Sequence, residues 1–247
     1  MKTILKTLLV TALLSTLTYA EDIYKDDMKF TLGAFALIKT DNSLSVSTDI
    51  GSIGYSPNFN GDTVVFRSDN YYRFNDAHRV ELSLFNISKT DDDGSYNNQF
   101  TTLLDYGYSF YKNEKVELTL LVGLHMTSYD LGVSTDTGDK SKINTTAPLP
   151  VIGFAWRYNI MPQWSVGSKV QYFAMSLDFD SADSIITGFQ GYVADTMVDT
   201  EYMFTPNFGA GLALNSIKSD LGISTGKIDW KVKNEVLGVN MYLSMHF

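Results

Sequence analysis

The sequence predicts an all-β fold: a closed antiparallel transmembrane β-barrel of ten strands, with short turns on one side and long loops on the other. Three observations predict it. First, Val239, Met241, Leu243, Met245 and Phe247 alternate with Asn240, Tyr242, Ser244 and His246, the two-residue period of a strand between an apolar and a polar surrounding. A last strand this apolar suits a barrel in lipid, where it pairs with the first strand and touches hydrocarbon. Second, short and long turn signals succeed one another along the chain. Third, the aromatic residues of one strand face gather beside the short turns, where amphipathic rings sit at headgroup level.

The chain ending, a terminal Phe behind alternating apolar residues, resembles the C-terminal strand of small bacterial outer-membrane β-barrels, the porin-like and OmpA- or OmpW-like class. The likeness covers one strand and assigns no specific family. It implies a place in the outer membrane of a Gram-negative-type cell envelope, contact with outer-membrane lipid and lipopolysaccharide, and recognition by the barrel-insertion machinery through the strand ending at Phe247.

Taken in order, residues 1–20 read as a signal peptide: Lys2 and Lys6, an apolar run from Ile4 to Leu17, and a small residue at Ala20. Residues 21–247 form the barrel domain. Cleavage removes two of the 19 basic residues and none of the 28 acidic ones, leaving a balance of −11, which disfavours nucleic acid as a partner. With no cysteine in the chain, disulfides, thiol catalysis and a lipid-bearing N-terminal Cys are excluded. Alternation keeps the average hydropathy low although one face is apolar.

The short turns fall at Asn75–His78, Lys112–Lys115, Asn159–Pro162 and Thr205–Asn207. The long polar stretches fall at Thr40–Gly61, Ser88–Asn98, Asp130–Ala147, Leu177–Ser184 and Lys218–Asp229. Ten strands lie between them; eight strands, or twelve if Leu44–Tyr55 adds a pair, are the alternatives. Over 99–110, Phe100, Thr102, Leu104, Tyr106, Tyr108 and Phe110 face outward. Over 116–127, Val116, Leu118, Leu120, Val122, Leu124 and Met126 do so. Over 163–172, Trp164, Val166, Val170 and Tyr172 do so. The strand before Asn75 is less regular, since Ser68 and Asn70 fall on the lipid face. The strand near Gly188–Gly191 changes phase, as a bulge would make it do. The interfacial girdle is Tyr72, Phe74, Tyr108, Phe110, Trp156, Tyr158, Trp164, Tyr202, Phe204, Phe208 and Phe247. Gly33, Gly107, Gly123, Gly153, Gly167, Gly209, Gly211 and Gly238 point inward, giving room in a narrow lumen. The prolines avoid strand centres: Pro162 and Pro206 in turns, Pro57 in a loop, Pro148 and Pro150 at a strand start.

The inward faces collect Lys29, Arg73, Arg79, Arg157 and Lys169 with Glu81, Asp105, Glu117, Asp195, Asp199 and Glu201. Charges of both signs in a narrow tube must pair, which predicts a salt-bridged plug or constriction in the periplasmic half. Filling and orienting the interior is the plainer reading of most of them. Of the histidines, His78 lies in a short turn, His246 on the last strand, and His125 points inward ahead of Thr127, Ser128 and Asp130. Barrel lipid A deacylases use His and Ser two apart on one strand; here the spacing is His125-Met126-Thr127, and no acidic pair resembles that of the omptin proteases. A rim hydrolase using His125 is therefore the minor alternative to a non-enzyme. The acidic stretches Asp91-Asp92-Asp93-Gly94 and Asp178, Asp180, Asp183 resemble fragments of calcium loops without the full ligand spacing. Solvated loop charge is expected there, with weak cation bridging to lipopolysaccharide as the alternative; no cofactor or resident metal is expected. The hairpin Tyr71–Leu82 looks like hairpins of uncharacterised small outer-membrane proteins. The leading functional expectation is a porin-like restricted passive channel or a structural barrel. The runner-up is a surface-interaction barrel binding a partner or lipopolysaccharide through its acidic loops.

Overall fold

In the computed structural model, the described residues are 27–48, 51–55, 64–90, 96–134, 140–178, 188–225 and 228–247. The signal segment 1–20, Pro57, Asp91–Asp93, Gly94, Asp180 and Asp183 lie outside them. Eleven strand segments are present: β1 (Met28–Thr48), β2 (Gly51–Tyr55), β3 (Val64–Asn75), β4 (His78–Thr90), β5 (Tyr96–Lys112), β6 (Val116–Ser134), β7 (Lys140–Met161), β8 (Trp164–Asp178), β9 (Gly188–Thr205), β10 (Phe208–Thr225) and β11 (Ile228–His246). Successive strands pair antiparallel, and β11 pairs with β1 from Lys29↔His246 to Thr48↔Ile228. That pairing closes a ten-stranded barrel. The segment β2 is not an eleventh stave: it folds back on the outer end of β1 (Leu44↔Tyr55 to Thr48↔Gly51), while β3 takes the inner part (Met28↔Tyr72 to Ala36↔Val64).

The short turns are built by local side chains. Asn75 Oδ1 accepts the Ala77 and His78 N–H groups at 3.0 Å each, and Asn113 Oδ1 accepts those of Lys115 and Val116 at 2.9 and 2.8 Å. These are Asx turns, in which a short amide side chain replaces a backbone acceptor. Pro148 and Pro150 pair with β6 while β8 joins β7 only from Ile152 onward, so the missing N–H groups fall where no ladder needs them.

Two expectations are corrected. Much of the polar sequence expected in long loops is paired strand: residues 40–48 pair with 228–236, and 128–134 pair with 140–146. The strands reach 21, 19 and 22 residues in β1, β6 and β7, against about 9–11 needed to cross a bilayer, so their outer parts stand in water and lack a lipid face to betray them. The bulge near Gly188–Gly191 is absent, since β9 keeps register with β8 and β10 through that stretch. The phase looked broken because Val193 is apolar yet points into the barrel and is buried.

The outer wall is apolar where the sequence phasing placed it, with Leu120, Val122, Ile152, Leu212, Met241 and Leu243 all exposed. Met241, 66% exposed, lies near the middle of the outward apolar run of β11. Met241→Arg is expected to destabilise the inserted barrel by about 2–4 kcal/mol, read from urea unfolding in vesicles.

Candidate functional site in the lumen

Inward side chains of the periplasmic half form two ion-pair clusters. In the first, Glu201 on β9 accepts Lys29 of β1 at 2.6 Å and Arg157 of β7 at 3.3 Å, and lies 3.0 Å from His246 Nε2 of β11. Arg157 also lies 3.9 Å from Asp199, which accepts the Tyr242 hydroxyl at 3.2 Å. In the second, charges alternate in sign along one chain of contacts. Arg73 and Arg79 each reach Glu117 at 2.8 Å, and Arg79 reaches Glu81 at 2.7 Å. Lys169 lies 3.3 Å from Glu81 and 3.7 Å from Asp105, to which Gln171 also donates at 2.8 Å. The Ser109 hydroxyl donates a short bond to Glu117. Apart from Arg79–Glu81 on β4, the ion pairs join strands that are not neighbours, and Lys169–Glu81 links β8 to β4 across the lumen.

Ten of the eleven inward charges singled out from the sequence enter these clusters. Asp195 does not: it is 2% exposed, and neither carboxylate oxygen has a hydrogen-bond partner. A cavity of about 90 Å³ lies within this layer, lined by Lys29, Asp69, Arg79, Glu81, Lys169 and Asp199 among others.

Sequence reasoning missed Arg67 and Asp69. Arg67 is fully buried, pairs bidentately with Asp69 at 2.8 and 2.9 Å, and is flanked by the Phe35 and Phe85 rings at 5.6 and 5.3 Å. Strand parity would have found it, since Phe66 and Tyr72 face outward, but Ser68 and Asn70 obscured the phase. The structure explains those two. The β1–β3 ladder lapses between Lys29↔Tyr71 and Gly33↔Arg67. There Ser68 donates to the Thr31 carbonyl at 2.6 Å, and Asn70 Oδ1 accepts the Thr31 N–H at 3.0 Å. Polar side chains thus stand in for ladder bonds that hydrocarbon could not replace.

The second omission is apolar. Phe35, Phe85, Ile87, Leu103, Ile217 and Val236 form one buried cluster inside the barrel, and Leu149, Val151, Val193 and Leu221 a second. His125 lies in this layer, paired across the ladders with Leu103 and Leu149. It is 3% exposed, its Nε2 has no partner, and Thr127 bonds Thr101 at 3.1 Å. His78 instead faces the girdle, stacked on Phe74 and beside Tyr106 and Tyr108. The girdle residues Tyr72, Phe74, Tyr108, Phe110, Trp156, Tyr158, Trp164, Tyr202, Phe204 and Phe247 are exposed on the outer wall, and Phe208 packs on Phe204. Among the described residues, no three His, Asp or Glu side chains converge as metal ligands.

No family model and no curated protein matches the chain. Solved structures do. The outer membrane protease OmpT from Escherichia coli is 12% identical, with a TM-score of 0.55 over 94% of this chain and 100% of that one. Ail, the attachment invasion locus protein of Yersinia pestis, is 14% identical (TM-score 0.36, 87% of this chain and 99% of that one). The Ralstonia pickettii toluene transporter TbuX is 10% identical (TM-score 0.38, 92% and 91%). At these identities the likeness is one of fold, and the two lower scores carry no further weight. With its apolar, aromatic-girdled outer wall, the chain has the fold of a bacterial outer-membrane β-barrel.

Glu117 is the junction of the second cluster. Glu117→Ala removes the carboxylate that Arg73 and Arg79 share, leaving Arg79 with Glu81 and Arg73 with the Asp76 carbonyl, and is expected to cost about 3 kcal/mol. Asp195→Asn breaks no hydrogen bond and is expected to change stability by less than about 1 kcal/mol. Urea titrations of the two variants in vesicles compare them directly.

Proposed function

We propose that the protein is a sealed barrel that anchors an extended β surface outside the membrane, and not an open pore. The observation that carries this reading is the inward apolar layer of Phe35, Phe85, Ile87, Leu103, Ile217 and Val236, fully or almost fully buried at the level where a pore would need water. Below it the ion pairs cross the lumen at 2.6 to 3.9 Å. A side-chain core of this kind is dry and close-packed, and charges paired beneath it have no reason to separate.

A porin-like restricted passage is the second reading, favoured by the cavity of about 90 Å³, which is room for about three waters. For ions to pass, the apolar layer above the cavity would have to part. Purified protein in planar bilayers separates the readings: the sealed barrel shows no steady conductance, and one of nanosiemens order would overturn it.

The fold neighbour from Escherichia coli is named as a protease, so hydrolysis needs its own test. The burial of His125 between Leu103 and Leu149 supports a non-enzymatic reading. No cleavage of lipid A or of peptides is expected; activity in the wild type that His125→Ala removes would replace this reading with the hydrolase.

A further inference from the structure

One buried carboxylate of the lumen has no counter-ion of its own. Among the described inward side chains, Arg67 is bound to Asp69, Lys169 lies between Glu81 and Asp105, and Arg73 and Arg79 share Glu117. Lys29 and Arg157 hold Glu201 and Asp199. Those six cations match six carboxylates, with the buried histidines neutral, and Asp195 is a seventh. Redrawing the pairs moves the surplus negative charge and does not remove it. Arg67 and Lys169 act on Asp195 through space, yet each is already held by another acid. A carboxylate buried without a partner is strongly disfavoured.

The groups around Asp195 say what kind of partner fits. Gln171 on β8 stands directly opposite it in the β8–β9 ladder. On β10 its ladder partner is Ile217, of the apolar layer, so Asn215 is its diagonal neighbour. Opposite side chains stand about 4.5–5.5 Å apart at Cβ, and diagonal ones about 7–8 Å. Gln171 Nε2 donates to Asp105 at 2.8 Å, but its Oε1 accepts nothing, and neither amide atom of Asn215 has a partner. Both residues are fully or almost fully buried. Three adjacent strands thus bring together a carboxylate and two amide oxygens with unused lone pairs. An all-oxygen donor set suits a hard cation, and a single surplus negative charge matches a charge of +1.

We propose that Asp195, Gln171 and Asn215 form an internal site for an alkali-metal cation on the inner wall of β8, β9 and β10. Asp195 supplies the charge, and the Gln171 and Asn215 amide oxygens complete the donor set. Through Gln171 the site joins the ion pair of Asp105 and Lys169, and through Ile217 it borders the apolar layer. The charge of Asp195 needs a partner whether or not the lumen conducts, so the site stands or falls apart from the sealed-barrel reading.

The test is urea unfolding of the purified protein in vesicles of zwitterionic phosphatidylcholine, at constant ionic strength. Sodium chloride or potassium chloride replaces the chloride of N-methyl-D-glucamine, a cation too large for the site. A ligand that binds only the folded state raises the folded-to-unfolded ratio, and full replacement by sodium or potassium is expected to raise it about fivefold at a fixed urea concentration. Asp195→Asn should lose this dependence entirely, and in N-methyl-D-glucamine it should unfold at no less urea than the wild type. Asn215→Ala keeps the charge and should need at least about threefold more cation for half the effect. Glu235→Gln, which removes an acid of the outer wall, should respond as the wild type does. If neither alkali cation shifts the wild type, the proposal fails, and water or a protonated His125 is the partner of Asp195. It fails as well if Asp195→Asn responds as the wild type does, or if Glu235→Gln loses the response.

Discussion

A peptide group facing hydrocarbon has no water to bond, so the wall of this protein must bond to itself all the way round. The β11–β1 ladder meets that demand from Lys29↔His246 to Thr48↔Ile228, with one register shift at Ile38. The β1–β3 ladder does not: it lapses around Thr31, and the wall is completed there by Ser68 and Asn70 side chains folded into the gap. Two polar residues on a lipid-facing wall would ordinarily be costly. Here their polar atoms are spent on the backbone of a neighbouring strand, so the exception obeys the same constraint as the rule.

Closing ten strands also fixes the width of the lumen, and the interior is shaped by that width. A Cβ at Gly211 would overlap the Tyr242 ring, one at Gly238 the Phe35 ring, and one at Gly33 the Asn240 amide. Small residues on one strand thus receive large ones from the next. The same crowding brings inward charges within reach of partners on strands that are not neighbours. Lys29 and Glu201 are 172 positions apart and meet at 2.6 Å. Such pairs gain little over an apolar filling, but breaking one exposes a charge to the interior at several kcal/mol, so the network acts more as a constraint on which walls face each other than as a source of stability.

The membrane-level wall was legible because two solvents act on it. Lipid selects one face of Phe100–Phe110 or Val116–Met126, and the period of two follows. Inward charges were legible by the same parity. What stayed hidden lacked that contrast. Residues 40–48 and 140–146 have water outside, so nothing marks them as strand in the pattern. Phe35, Phe85 and Val193 are apolar on the inward face, which a polar-lumen expectation cannot place, and Val193 was misread as a phase change. Arg67 was lost because its neighbours Ser68 and Asn70 serve the ladder and not the lipid.

Apart from Arg67, these hidden features share one cause, which is that the barrel changes its polarity along its axis. In the periplasmic half, apolar residues face out and Glu117, Arg79 and Glu201 face in. In the outer half of β10 and β11 the order reverses: Lys218, Asp220, Lys233 and Glu235 face out, while Ile217, Leu221 and Val236 are buried within. The lower part is built as membrane proteins are, and the upper part as soluble β proteins are, on one continuous set of strands. An interior apolar core is what allows strands of 19 to 22 residues to rise beyond the bilayer without splaying, because above the headgroups the only hydrophobic stabilisation available lies inside. The inward apolar layer that carries the sealed-barrel proposal is thus also the core that supports the outer β surface. Opening a pore through Phe35, Phe85 and Val236 would remove the support of the part of the molecule that faces the cell's surroundings.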